Sequence, residues 1–232
     1  MGKQLKAVES AYDSLTQRKT IPLRWELQMG CNYLTNTKWA GNKPLQDIHT
    51  LSGAFYTFLD LPSEKPNASR TFLFRIGIGA NIQTFGMDKQ IAHVGNRTIF
   101  VAFKPDQYFC YSYFQQLFID LPLSIALRPF KNSSFEMETG GVIGYQVYSE
   151  YRFCIRTLNG NIVETEEHVA NLNPFHYGIS GKLRFRPRKR RQQLSFTLSG
   201  NYYLSELFIP SNETPTKNFS ILAGIGISVY NY

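Results

Sequence analysis

The chain has 232 residues, with 25 Lys and Arg against 17 Asp and Glu for a formal net charge of +8, and its 15% aromatic content comes from 18 Phe and 14 Tyr against 2 Trp. One pattern fills most of this length, which favours a single domain. No apolar run is long enough for a transmembrane helix, and three cysteines (Cys31, Cys110, Cys154) are too few to build a disulfide framework.

Residues 1–20 carry Leu5, Val8, Tyr12 and Leu15 at helical spacing and read as a short amphipathic helix or a leader. The stretch lacks the apolar core of a secretion signal, so an exported protein would be represented here by its mature form. From Ile21 to Leu34 the pattern has a period of two. Leu23, Trp25, Leu27, Met29, Cys31 and Tyr33 alternate with Arg24, Glu26, Gln28, Gly30 and Asn32, which predicts a strand. After a polar stretch, Thr35 to Thr50, a second strand is expected near Ser52 to Leu61, where the alternation is poor. In the third, Phe72, Phe74, Ile76, Ile78, Ala80 and Ile82 face one way and Arg75, Gly77, Gly79, Asn81 and Gln83 the other.

Gly86 to Tyr111 is irregular apart from an apolar island, Thr98 to Phe103, which is either a strand extension or a loop folded on itself. A long hairpin follows from Phe114 to Phe153 around the turn Pro129 to Ser134. Its first arm sets Leu117, Ile119, Leu121, Leu123, Ile125 and Leu127 on one face. Its second arm is expected to set Phe135, Met137, Ile143, Tyr145, Val147, Tyr151 and Phe153 against Glu136, Glu138, Gln146, Glu150 and Arg152. Ile155 to Pro174 is a second long polar loop. Three more strands are predicted, over Phe175 to Phe185, Gln192 to Leu204 and Phe219 to Tyr232, the first two joined by the basic turn Arg186, Arg188, Lys189, Arg190 and Arg191.

The hairpin arms are about twice the usual strand of roughly five or six residues, and no amphipathic helices are predicted that could cover their apolar faces. Lipid covers such faces directly. Long and short connections alternate strictly. The pattern therefore predicts an all-β fold over residues 21–232, an eight-stranded antiparallel transmembrane β-barrel in up-and-down order with long extracellular loops and short periplasmic turns. The basic turn then lies on the periplasmic side near anionic headgroups, which is preferred over a nucleic-acid site.

An interior of this size is just wide enough for side chains to fill. Arg24, Glu26, Arg75, Asp120, Arg128, Glu136, Glu138, Lys182 and Arg184, with Glu150 and Arg152, are therefore expected to form a salt-bridge network in the lumen. Glu136 and Glu138, ~7 Å apart by the strand rise, could be an acid–base pair, but the surrounding cations favour the structural role. His176 starts the sixth strand near the rim, with His49, His93 and His168 in loops on the same side, so a rim hydrolase or acyltransferase is the alternative function. A soluble ligand-binding barrel is a second alternative and needs the two faces exchanged. No metal or phosphate motif is present, and no cofactor is expected. The register that sets Leu117 opposite Val147 also sets Cys110 opposite Cys154. A cross-strand disulfide and two free thiols are both compatible with it, because a bulge would shift the pairing.

Leu117-Phe-Ile-Asp-Leu-Pro-Leu-Ser-Ile-Ala-Leu127, Glu138-Thr-Gly-Gly-Val-Ile-Gly-Tyr145, Tyr202-Tyr-Leu-Ser-Glu-Leu-Phe208 and Phe219-Ser-Ile-Leu-Ala-Gly-Ile-Gly-Ile-Ser-Val-Tyr230 resemble the PorT-like outer-membrane barrel family of Bacteroidetes. The resemblance spans residues 21–232. It implies a porin-like barrel in the bacterial cell outer membrane, acting without catalysis in an envelope complex such as type IX protein secretion. The implied partners are outer-membrane lipid or lipopolysaccharide and another protein, with no nucleic acid. It also implies a role for the terminal Tyr232 in the insertion signal, although Tyr230 and Tyr232 share the parity of the inward Ser228.

Overall fold

The computed structural model describes residues 23–34, 51–62, 71–86, 89–94, 97–102, 107–129, 134–167, 172–187, 194–207 and 217–229. The regular elements among them are all strands: β1 (Leu23–Leu34), β2 (Ser52–Pro62), β3 (Thr71–Gly86), β4 (Lys89–Val94), β5 (Arg97–Ala102), β6 (Gln107–Arg128), β7 (Phe135–Thr157), β8 (Ile162–Glu167), β9 (Phe175–Phe185), β10 (Leu194–Tyr203) and β11 (Asn218–Val229). Eight of them close a ring of antiparallel neighbours in the order β1-β2-β3-β6-β7-β9-β10-β11, with β11 returning to β1. Closure leaves no edge within the ring.

The alternation of β1, β3, residues 117–127 of β6, β9 and β11 points as the sequence predicts, with the predicted apolar face outward. Arg24, Glu26 and Gln28 are buried while Trp25, Leu27 and Met29 are exposed. β2 explains its own weak pattern. Tyr56 and Phe58 are buried inside the ring while Phe55 and Leu59 are exposed outside, so both faces are apolar and the alternation cancels. Pro122 lies within β6 and pairs with Val142, but the β3–β6 ladder is interrupted at Gly77 and Ile78, beside the position where proline has no N–H to give. A side chain on Gly77 would meet the rings of Phe58 and Pro122, which fill that place.

The loops hold structure that periodicity leaves open. The apolar island is β5, paired with β4 in a separate two-stranded sheet, and β8 lies within the expected loop 155–174 as an added neighbour of β7. Beyond Tyr145, opposite Phe175, β7 leaves β9 and continues with β6 and β8 as an extension of the ring wall. The stretch from Tyr145 to Thr157 measures ~40 Å at the usual strand rise.

Two bulges shape the β6–β7 pair. One register runs from Leu127 opposite Met137 to Phe118 opposite Gln146. It steps at Val147, continues from Leu117 opposite Tyr148 to Tyr111 opposite Cys154, and steps back at Cys110 to set Phe109 opposite Ile155. The first extra residue is on β7 and the second on β6, so the shifts cancel. The register expected from sequence holds on both sides and fails between the bulges. There Leu117 faces Tyr148 rather than Val147, and the assignment of faces changes. Tyr151, expected outward, is fully buried opposite Phe114. Phe153 falls opposite Ser112 on the inward parity, while Glu150 and Arg152, expected in the interior, share the outward parity of Tyr148 and pair with each other.

The leader at 1–20, His49, His168, the basic-turn residues Arg188, Lys189, Arg190 and Arg191, and the terminal Tyr230 and Tyr232 lie outside the described residues.

Candidate functional site

The polar interior is two clusters stacked along the ring axis. The first occupies the end with short connections. Register sets Arg75 of β3 opposite Asp60 of β2, and Arg184 and Lys182 of β9 opposite Glu136 and Glu138 of β7. Across the interior, Arg75 donates from Nε to Asp60 Oδ1 at 2.7 Å and from Nη2 to Glu136 Oε1 at 2.9 Å, and its Nη1 reaches Glu138. Arg184 donates from Nη2 to Glu26 Oε2 at 3.0 Å and to Glu138 Oε2 at 3.2 Å, with Nη1 on Glu136. Lys182 Nζ lies 2.8 Å from Glu26 Oε1, and Arg24 Nη1 lies 3.3 Å from Asp60 Oδ2. At the rim Arg128 and Arg186 both donate to Glu136 Oε2, at 2.9 and 3.0 Å.

Arg24, Arg75, Lys182 and Arg184 thus face Glu26, Asp60, Glu136 and Glu138, all of them withdrawn from solvent. Desolvating an ion in a protein costs several kcal/mol, which only close multidentate pairing offsets. Arginine supplies it here, since its planar fork bridges two or three carboxylates at once. Phe58 also serves the cations: Arg24 Cζ lies 5.1 Å and Lys182 Nζ 4.7 Å from its ring centroid.

The second cluster lies toward the long-connection end and is built on Asp120. His176 Nε2 donates to Asp120 Oδ1 at 2.7 Å, while Tyr56 Oη and Asn81 Nδ2 donate to Oδ2 at 2.9 and 3.0 Å. Gln83 Nε2 stands 3.5 Å from His176 Nδ1, so each ring nitrogen has a polar neighbour. The imidazole stacks on Phe118 at 3.9 Å and contacts Tyr203 at 4.6 Å between ring centroids. Asn81 also donates to Tyr203 Oη at 3.2 Å. Gly144 makes the close approach feasible, because a Cβ there would strike both His176 and Asp120. Above this cluster the wall turns aromatic, with Phe85, Phe114 and Tyr151 each fully buried.

Arg24, Glu26, Arg75, Arg128, Glu136, Glu138, Lys182 and Arg184 therefore meet in one network as expected, and Arg186 joins it from the basic turn. Asp120 does not: it anchors the separate cluster with His176, Tyr56 and Asn81. Asp60, Tyr56, Phe58, Asn81 and Tyr203 complete the two sites and were not singled out from sequence. Asp60 shares the parity of Tyr56 and Phe58, and that parity was the available signal.

Cys31, Cys110 and Cys154 are free thiols, and the last two are in hydrogen-bonding contact with each other at the second bulge. Among the described residues no group of His, Cys, Asp or Glu is arranged to hold a metal ion. No protein-family model matches this sequence, and no curated protein matches it.

Proposed function

We propose that the ring is a transmembrane β-barrel of a bacterial outer membrane and that it acts without catalysis, as a plugged anchor displaying the β6–β7–β8 extension to a partner in an envelope complex. The observation that carries this is the inversion of polarity: the ions are inside and the oil is outside. One outward residue from each ring strand, Leu27, Phe55, Ile78, Leu121, Ile143, Ile179, Leu198 and Ile225, is between 49% and 57% exposed. A water-soluble protein would hide such a continuous belt.

Aromatic pairs border the belt, Phe135–Phe185 at 5.1 Å on one side and Tyr145–Phe175 at 5.2 Å and Tyr33–Phe219 at 6.4 Å on the other. Tyr145 is ten steps along the strand from Phe135. That is ~33 Å along the strand and ~25 Å in height at a tilt of ~40°, the height of the apolar band in outer-membrane barrels. The resemblance to PorT-like barrels agrees with this reading and suggests protein secretion as the setting, with lipopolysaccharide around the belt.

The two alternatives are less well supported. A rim enzyme at His176 would need a ring nitrogen open to substrate, yet both nitrogens have partners and the adjoining cavity measures about 10 Å³. A soluble ligand-binding barrel would need an apolar interior. The test is purification from native outer membranes in mild detergent, with heat-modifiable gel mobility and mass spectrometry of co-purifying proteins. A heat-modifiable species with a stoichiometric partner is expected. Recovery in the soluble fraction without detergent would overturn the proposal.

A further inference from the structure

We propose that Cys110 and Cys154 close into an intramolecular disulfide that staples β6 to β7 in the extension, beyond the apolar belt. The inference goes beyond the anchoring role and rests on that reading only for the oxidising compartment.

The bulge provides the geometry. In the register that holds from Leu117 to Tyr111, Cys110 would fall opposite Ile155, on the face away from Cys154. The extra residue at Cys110 places both Cys110 and Tyr111 across from Cys154. Adjacent bulge residues turn toward the same side of the sheet as the residue they oppose, so the two thiols meet in hydrogen-bonding contact. Tyr111 is the paired residue of Cys154 and Cys110 adjoins it in the bulge, and a disulfide accepts Cα separations of up to roughly 6.8 Å.

The two sulfurs differ in a way that orders the reaction. Cys110 is exposed and Cys154 is buried. Burial, reinforced by the hydrogen bond with Cys110, pushes the Cys154 thiol up to about 11. Cys110 is therefore the entry point. As a thiolate it attacks the disulfide of an envelope thiol–disulfide oxidoreductase, forming a mixed disulfide and releasing one oxidoreductase thiolate. Cys154 then loses its proton and attacks the Cys110 sulfur, which forms the internal bond and expels the second oxidoreductase thiolate. The two cysteines are oxidised by two electrons, the oxidoreductase is reduced to its dithiol, and the protons balance through solvent. Cys31 is on β1 and has no part in this.

Two measurements on the full chain test the proposal. In the first, protein from native outer membranes is acid-quenched, blocked with N-ethylmaleimide in denaturant, then reduced and tagged with a polyethylene-glycol maleimide. Two tags are expected on the native chain and none on Cys110→Ser. Absence of tags from protein recovered in that fraction would overturn the staple. In the second, detergent-refolded protein is equilibrated with oxidised glutathione and digested. A linked peptide pair containing Cys110 and Cys154 is expected in native and Cys31→Ser chains alike. Thiols that stay reduced under excess oxidant would overturn the staple whatever the compartment. If the linked pair forms in vitro while cellular protein is found outside the outer membrane, the staple stands and the outer-membrane assignment fails.

Discussion

Replacing Arg75 with Ala tests the packed interior most directly. Its guanidinium contacts Asp60, Glu136 and Glu138. After its removal Glu136 keeps Arg184, Arg128 and Arg186, and Glu138 keeps Arg184 and the Ser124 hydroxyl at 2.7 Å. Among the described residues Asp60 keeps only Arg24, at 3.3 Å. The loss therefore concentrates on one buried carboxylate, and breaking a buried pair from one side costs about 3–5 kcal/mol. Removing the stranded partner as well should recover part of that, so Arg75→Ala/Asp60→Ala should be more stable than the sum of the single changes by ~1 kcal/mol or more. The assay is denaturant unfolding of protein refolded into phospholipid vesicles, followed by tryptophan fluorescence and gel mobility. If Arg75→Ala lies within ~0.5 kcal/mol of the native chain, the size of an ordinary surface change, the interior charges are hydrated and the plug does not exist.

Leu123→Arg places a charge in the outward belt and should cost ~2–4 kcal/mol in the same vesicle assay if lipid covers that face. Gly144→Ala drives a methyl between His176 and Asp120. It should destabilise by ~1–3 kcal/mol as overpacking does and shift the His176 imidazole resonances in NMR. Deleting Val147 removes a bulge residue and leaves every remaining pair and its facing unchanged. The ring should therefore stay folded and heat-modifiable, whereas deleting Leu198 from β10, whose ladders have no bulge to absorb the loss, exchanges faces along the strand and should prevent folding.

Much of this architecture was legible because a ring with opposite polarities inside and outside writes itself as a period of two. β1 is the cleanest case, and the eight network members of matching parity followed from it and its neighbours. The signal failed where three-dimensional neighbours changed what the interior could accept. Phe58 belongs inside because Arg24 and Lys182 lie over its ring, so β2 lost its alternation and Asp60 its prominence. Asp120 looks like one more lumen charge in sequence, yet its partners are a histidine, a tyrosine and an amide from three other strands, which no count of charges reveals. The faces of Tyr151 and Glu150 were lost to a single extra residue at Val147. A β-branched residue fits a regular strand as well as a bulge, so nothing marks that spot.

The ion network also bears on how the ring comes together. Many of its contacts join neighbouring strands, among them Asp60 with Arg75, Glu136 with Arg128 and Glu136 with Arg184. Glu26 is different: Lys182 and Arg184, which meet it from the far side of the chain, are its nearest cationic partners. An open sheet can assemble the local contacts one hairpin at a time, but it carries Glu26 of β1 without them until β11 reaches β1. Arg75 reaches Glu136 and Glu138 across a single intervening strand, β6, as the sheet curls. Assembly is thereby weighted toward an all-or-none event, in which partly closed rings are penalised by stranded charge and the finished ring is the first species at ease in an apolar medium.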